Sequence, residues 1–492
     1  MNTTTDNLTL WAALPVLLAG AFMVVLDFFI VNVALPSIAT DLGAGESSLE
    51  WVVAGYGLTF AAFLITAGRF GDDLGRRRVY AIGLALFTVA SAACGLAPSP
   101  TTLVLARVAQ GVAGAVVMPQ VLAIVGVTYR GPDYVRAMSL YGLALGLAAV
   151  GGQVIGGALV ETDVAGLGWR SCFLINVPIG LAALAATPRL VPESRAERRR
   201  RVDVAGAALV AIGLTAVLLP LIQGREQGWP AWTWISLALA PVLLGAFLRR
   251  QRRLAENGGD PLLDLRLFEE RGFSAGLATQ LFLAVAQASF FVFLAFYLQV
   301  GRGLGPLEAG LVFTILAVAY VVTSGPAPGL TARYGRMVVA SGGVALTAGL
   351  VVLAAAVSEI GTEGSLLALV PGLVLVGAGI GLCFTPLTST VLASVDPARV
   401  GSASGAMSTM QQMGYALGVA ITGVIFFGAA DDGIGHAFEL SLIQMAVVSA
   451  GIVVMSRLLP GVCKKESGHK TNVTQPQQIA DTVVDTAWSA SA

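Results

Sequence analysis

Apolar runs long enough to cross a bilayer recur along the whole chain, cut at intervals by clusters of arginine, glycine and proline. A helix rising 1.5 Å per residue needs about 20 predominantly apolar residues to span the hydrocarbon core. Runs of that kind predict helices near 11–35, 50–68, 79–97, 101–128, 134–160 and 171–188. Further runs follow at 203–223, 231–248, 272–299, 306–327, 337–357, 365–389, 400–428 and 438–459. The pattern is that of an all-α polytopic membrane protein with about fourteen transmembrane helices. The first run has no basic lead-in and no small-residue cleavage site, so it reads as a retained span.

Charge placement tests this count independently, because basic residues accumulate on the cytoplasmic side of membrane proteins. With the N-terminus inside, the cytoplasmic segments hold 25 of the 29 Lys+Arg, including Arg76 to Arg78 after the second span and Arg198 to Arg201 after the sixth. The opposite loops hold only Arg170, Arg225 and Arg302, and Arg107 falls inside a span. An odd number of spans would scramble the alternation, so both termini are expected in the cytoplasm. Composition agrees: 56% of residues are hydrophobic and 12% charged, about half the charged share of a soluble domain. The 29 basic and 29 acidic side chains balance, which argues against a nucleic-acid partner. Cys94, Cys172, Cys383 and Cys463 are dispersed and histidines number two, a set that offers neither a disulfide framework nor a metal or cofactor site.

Two internal echoes share one offset. Gly142 to Ala148 in the fifth span is matched by Gly414 to Ala420 in the thirteenth, and Leu74-Gly75-Arg76 after the second by Tyr334-Gly335-Arg336 after the tenth. A duplicated six-span unit with two spans inserted between the copies gives that spacing. The expected organisation is a short tail (1–10), a six-helix bundle (11–190), two inserted helices (191–260), a second six-helix bundle (261–460) and a polar, disordered cytoplasmic tail (461–492).

Chemistry should concentrate where polar groups interrupt this apolar background. Asp27 lies inside the first run and is the sole acid expected deep in any span. An ionisable group at membrane depth is costly unless paired, hydrated or protonated, and so points to function; a cap on a broken helix or a place near the interface is the plainer reading. In the fourth span Arg107, Gln110, Gly111, Gly114 and Met118 share one helical face, which should point into the protein or a wet cavity. Arg107 lies roughly 9 Å and Asp27 roughly 12 Å from the outer ends of their predicted spans at 1.5 Å per residue. The two can share a depth, and we expect them to interact, directly or through water, when Asp27 is ionised.

Other candidates are less sharply marked. Gly68 to Arg78 sets Asp72 and Asp73 beside Gly75 and Arg76, a spacing that suits a cytoplasmic latch of carboxylates and guanidinium groups; a basic loop that only fixes topology is the plainer reading of Arg76 to Arg78. The fifth span carries Gly142, Gly146, Ala149, Gln153, Gly156 and Gly157 on one stripe, a surface for close helix approach with Gln153 as its polar exception. In the second half, Gln287, Gln411 and Tyr415 stand among phenylalanines without a buried charge, a lining suited to a bulky, partly apolar ligand.

Jointly, Leu26-Asp27 with Ile30 to Pro36, Gly68 to Arg78, Arg107 with Gln110 and Gly111, Gly152 to Gly157, and Trp169-Arg170 with Phe173 to Pro178 make the chain resemble the major facilitator superfamily. Within it, the fourteen-span drug:proton antiporters are the likeness, and it extends to about Pro460. The resemblance implies two bundles around a central cavity, alternating access by rocking, and export of a hydrophobic or amphipathic small molecule against inward proton flow. It also implies proton coupling at Asp27 and Arg107 and gating at the Asp72 loop. Two positions depart from the family pattern: Gln153 stands where a proline is usual, and Asp73 where an arginine is. A proton-coupled importer of a small organic nutrient remains the alternative on the same fold. An enzyme is not expected, and no G-x-x-x-x-G-K-[ST] occurs to suggest direct drive by ATP. The partners expected are substrate, protons and the lipid of the cell membrane, with the chain acting as a monomer.

Overall fold

The computed structural model describes residues 3–195, 203–224, 226–259, 261–393, 395 and 400–459; the expected tail 461–492 and Arg198 to Arg201 lie outside them. Among the described residues, fourteen helices are long and apolar enough to cross a membrane. The first six are α1 (Thr3–Leu42), α2 (Glu46–Leu74), α3 (Arg76–Gly95), α4 (Pro100–Thr128), α5 (Gly131–Thr162) and α6 (Asn176–Leu190, preceded by a turn of helix Ser171–Leu174). Then come α7 (Val204–Gln223) and α8 (Ala231–Glu256). The last six are α9 (Arg271–Phe296), α10 (Pro306–Ser324), α11 (Arg336–Ile360), α12 (Val370–Ala393), α13 (Val400–Gly428) and α14 (Ile434–Ser456).

Helix pairing repeats with an offset of eight. In the first bundle α1 packs on α5 and α6, α4 on α2 and α3, and α3 on α6; in the second, α9 packs on α13 and α14, α12 on α10 and α11, and α11 on α14. The bundles meet along two seams, α2 against α13 and α5 against α10, and α7 of the α7–α8 pair lies against both α2 and α13. The all-helical class with two six-helix bundles and an added pair therefore holds.

Turn chemistry sets the helix ends. Gly75 separates α2 from α3 at φ 104°, and Gly335 precedes α11 at φ 54°, a backbone region that side chains with a Cβ avoid. Ser99 and Thr102 form a reciprocal capping box before α4, with Pro100 in its first turn. Among the boundaries that differ from the sequence pattern, two lie near the site. α1 does not stop at Pro36 but runs on to Leu42; the proline withholds one donor, and the helix continues past it through Thr40, whose Oγ1 donates to the Ser37 carbonyl at 3.0 Å. α2 begins at Glu46, which puts Glu50 a full turn inside the helix rather than at its edge.

The seams are closest at one end. A methyl on Gly157 of α5 would lie 2.4 Å from the Pro306 carbonyl oxygen of α10, and one on Gly310 would lie 2.6 Å from the Gln153 carbonyl oxygen. About three turns back from Gly157 along the same stripe, Gly146 meets only the Tyr320 ring at 3.9 Å, and Gly142 meets nothing within 4 Å. The two helices therefore splay apart towards the start of α5, and they are tightly joined at the end that carries the Gly43 turn.

Candidate functional site

α1, α3, α4 and α6 bring their polar side chains to one wholly buried point. Asp27 and Arg107 are both 0% exposed, and Arg107 Nη1 donates to Asp27 Oδ2. Gln110, one turn along α4, donates from Nε2 to Asp27 Oδ1 at 2.8 Å and accepts from Arg107 Nη1 at 2.7 Å. Asn176 Nδ2 at the start of α6 donates to the same Asp27 oxygen at 2.8 Å. Ser91 Oγ of α3 accepts from both amides, at 2.7 Å from Gln110 and 3.3 Å from Asn176.

The guanidinium is held from other sides as well. Arg107 Nε donates to the Val52 carbonyl of α2 at 2.8 Å, and its planar group lies 4.3 Å from the Tyr56 ring centre and 5.7 Å from that of Phe173. Tyr56 is fixed in turn by its hydroxyl, which donates to the Val24 carbonyl at 3.0 Å. A charge pair stripped of water is costly unless its lone pairs and protons find such partners, and of the three guanidinium nitrogens Nη2 has none among the described residues. The arrangement holds a carboxylate beside a fixed cation in a site closed to water.

An aromatic stack links this point to the second bundle. Phe28, next to Asp27 in the chain, stacks on Tyr415 of α13 with ring centres 4.9 Å apart and lies 5.9 Å from Tyr56. Tyr415 accepts from Gln411 Nε2 at 2.7 Å and donates to Gln287 Oε1 of α9 at 3.2 Å. Phe29 meets Phe291 edge-on at 5.2 Å, and Gln299 Nε2 donates to the Val33 carbonyl at 2.9 Å. The end of α1 beyond Asp27 is thus clasped by the opposite bundle.

The remaining sequence candidates are placed as follows. Gly111 lies against α2, where a methyl would come within 2.4 Å of the Tyr56 carbonyl oxygen. Met118 is half-buried two turns beyond Gln110 on α4. Gln153 is fully buried and donates to the Phe29 carbonyl at 3.1 Å. The side chain of Asp72 lies outside the described ones. At the same turn the Arg76 N–H donates to the Ser194 carbonyl at 2.9 Å, and Glu193 accepts from the Arg77 N–H at 3.1 Å with its carboxylate near the Arg77 and Arg78 guanidinium groups. Glu193, from the segment after α6, is a carboxylate that sequence reasoning did not assign to the latch.

Sequence reasoning also missed Asn176, Ser91 and Tyr56. Asn176 sits in the Phe173 to Pro178 segment at the mouth of an apolar run, and that polarity is the signal that could have found it. Asp27 is also not the only buried acid: Glu50 of α2 is 5% exposed.

The chain matches the family described as Major Facilitator Superfamily over residues 17–419. Among its relatives, the "Probable actinorhodin transporter" of Streptomyces coelicolor is 36% identical over 471 residues, covering 93% of this chain and 80% of that protein. The "Cephamycin export protein CmcT" of Amycolatopsis lactamdurans is 33% identical over 471 residues, covering 94% of this chain and 95% of its own. A solved bacterial homologue of the human lysosomal transporter Spinster shares the fold with a TM-score of 0.63 at 16% identity, over 93% of this chain and 98% of that one. By that match and these relatives, this chain belongs to the major facilitator superfamily and is a multi-pass membrane transporter, not an enzyme.

Proposed function

We propose that this transporter exports a hydrophobic small molecule of the antibiotic class, driven by protons moving inward through Asp27. The observation that carries the reading is the Asp27–Arg107 pair, sealed from water and shared with Gln110 and Asn176. The printed names of relatives at 33–36% identity, an actinorhodin transporter and a cephamycin export protein, support export and the substrate class. The arginine distribution supports an inside location for the Gly75 turn and an outside one for the Gly43 turn.

On this reading, the conformation with its Gly43 end shut faces inward, and its paired Asp27 is the form from which the proton has left. Substrate entering between the splayed ends of α5 and α10 favours rocking to the opposite state, which parts Phe28 from Tyr415 and uncovers Asp27. Protonation from outside then cancels the carboxylate charge and frees Arg107 as substrate departs. The amides of Gln110 and Asn176 keep a donor on the acid throughout and hold its orientation.

The decisive measurement is efflux into inverted vesicles under an imposed proton gradient. Asp27→Asn is expected to insert normally and to lose gradient-driven accumulation of drug. Undiminished accumulation by that variant would remove Asp27 from the coupling.

A further inference from the structure

Glu50 is a buried carboxylate that the Asp27 site does not use. It stands on α2 where that helix meets α13 of the other bundle. Gly423 makes room for it: a methyl there would lie 2.4 to 2.9 Å from the three carboxyl atoms of Glu50. Leu35, Leu49, Val292, Phe293, Phe296 and Phe427 close around it in a crevice with no space for a water molecule. Its Oε2 has no hydrogen-bond partner among the described residues.

The charged groups near it give it no described cation. α9 and α13 line the crevice with apolar side chains. Asp27 of α1 and Arg107 of α4 are committed to each other, and Arg107 Nε holds the Val52 carbonyl two residues beyond Glu50. Glu46 precedes it by one turn on α2. Glu226, in the turn between α7 and α8, accepts from the Ser47 N–H at 2.9 Å and adds like charge. Arg225, next to Glu226 in the chain, lies outside the described residues.

We propose that Glu50 is a second proton-binding site, one that governs closure of the α2–α13 seam. The carboxyl enters the crevice only as the neutral acid and ionises when the seam opens to water. A carboxylate taken out of water with no cation beside it is far costlier than the protonated group. Gly423 and the phenylalanines fit the shape of the side chain but give its charge nothing. A state that buries the neutral form is populated by protons in proportion to their activity, so acid closes the seam. With the sidedness proposed above, external acid shuts this gate while Asp27 carries the coupled proton. Glu50 is then a sensor on the outer face, not part of the transported charge.

The experiment reads the seam directly. Nitroxide labels at Thr40→Cys and Asp431→Cys, exposed positions on opposite bundles at this end, report closure by pulsed dipolar spectroscopy in lipid nanodiscs, with Cys463→Ser removing a competing thiol. Between about pH 5 and 9 the closed-to-open ratio is expected to rise on acidification, by at most about tenfold per unit for a single proton. Glu50→Gln and the apolar Glu50→Leu should both stay closed across the range, and Arg225→Gln should keep the parent profile. A parent distance distribution indifferent to pH, a parent-like profile in Glu50→Gln, or opening caused by Glu50→Leu or Arg225→Gln would each overturn the proposal. No drug and no proton gradient enters this measurement, so its outcome is independent of the Asp27→Asn efflux test.

Discussion

At the residue scale, Asp27 has three donors, and only one of them brings charge, so losing each has a different consequence. Removing the guanidinium leaves a carboxylate buried with two neutral amides, a one-sided break that costs about 3–5 kcal/mol in buried pairs. Arg107→Ala is therefore expected to lower the unfolding temperature of the purified transporter strongly. Asp27→Asn/Arg107→Gln strands no charge and should recover most of the loss. Equal losses in thermal unfolding of the single and double variants would mean that the interior is not organised around this charge. Asp27 and Arg107 are legible in the sequence because a charge inside an apolar run has few innocent explanations. Gln110 is legible because it falls one turn from Arg107. Ser91 among alanines and Asn176 before a proline look like packing and capping residues, and no periodicity tells which of six helices faces which. Glu50 escapes for a different reason: placed at a predicted span edge it looks solvated, and one turn of extra helix buries it.

At the element scale, the α7–α8 pair is fastened at its base by one carboxylate. Asp203 caps α7 through the Gly206 N–H at 3.0 Å and accepts from Arg250 Nε at 2.7 Å and Gln251 Nε2 at 2.9 Å on α8. Burial alone pushes this carboxyl up, but the Gly206, Arg250 and Gln251 bonds together outweigh it and hold the group below its ordinary value of 3.8. These donors favour the charged form, so the fastening is complete above the ordinary carboxylate range and is lost as pH falls through the lowered value. Asp203→Asn is expected to speed amide exchange at the start of α7 and around Leu262, whose N–H donates to Gln251 Oε1 at 2.6 Å, while efflux persists. Unchanged exchange at both places would show that the pair is held by its apolar faces alone. Helix ends are the elements least legible in advance. The apolar run of α1 is interrupted at Pro36, yet the helix continues to Leu42, because a proline removes one backbone donor and leaves the others free to bond.

At the scale of the whole molecule, the eightfold offset in helix pairing was carried in the sequence by two glycine echoes, although their members do different work. Gly414 and Gly418 lie hard against α9, where a methyl would meet Ala284 at 2.6 Å and the Val285 carbonyl at 2.4 Å, while Gly142 faces open space. Similar sequence marks equivalent helices, not equivalent contacts, because the two bundles meet different neighbours. A rocking cycle must part α2 from α13, and Gly57 provides a place to forbid it. A methyl on Gly57 would lie 3.8 Å from the Ala416 Cβ, the usual separation across a disulfide. Gly57→Cys/Ala416→Cys is expected to cross-link under oxidation, to stop efflux, and to regain it on reduction. Full efflux in the cross-linked form would exclude movement at this seam. The α7–α8 pair makes the two seams unlike. Leu214, Leu218 and Ile222 of α7 cover Ala54 and Leu58 of α2 and Ala416 and Ala420 of α13, but among the described residues neither inserted helix packs over α5 and α10. Seen from the bilayer, the α2–α13 seam has a wall and the α5–α10 seam has none, so on the export reading the splayed stretch of α5 and α10 is where a hydrophobic substrate would board from the membrane.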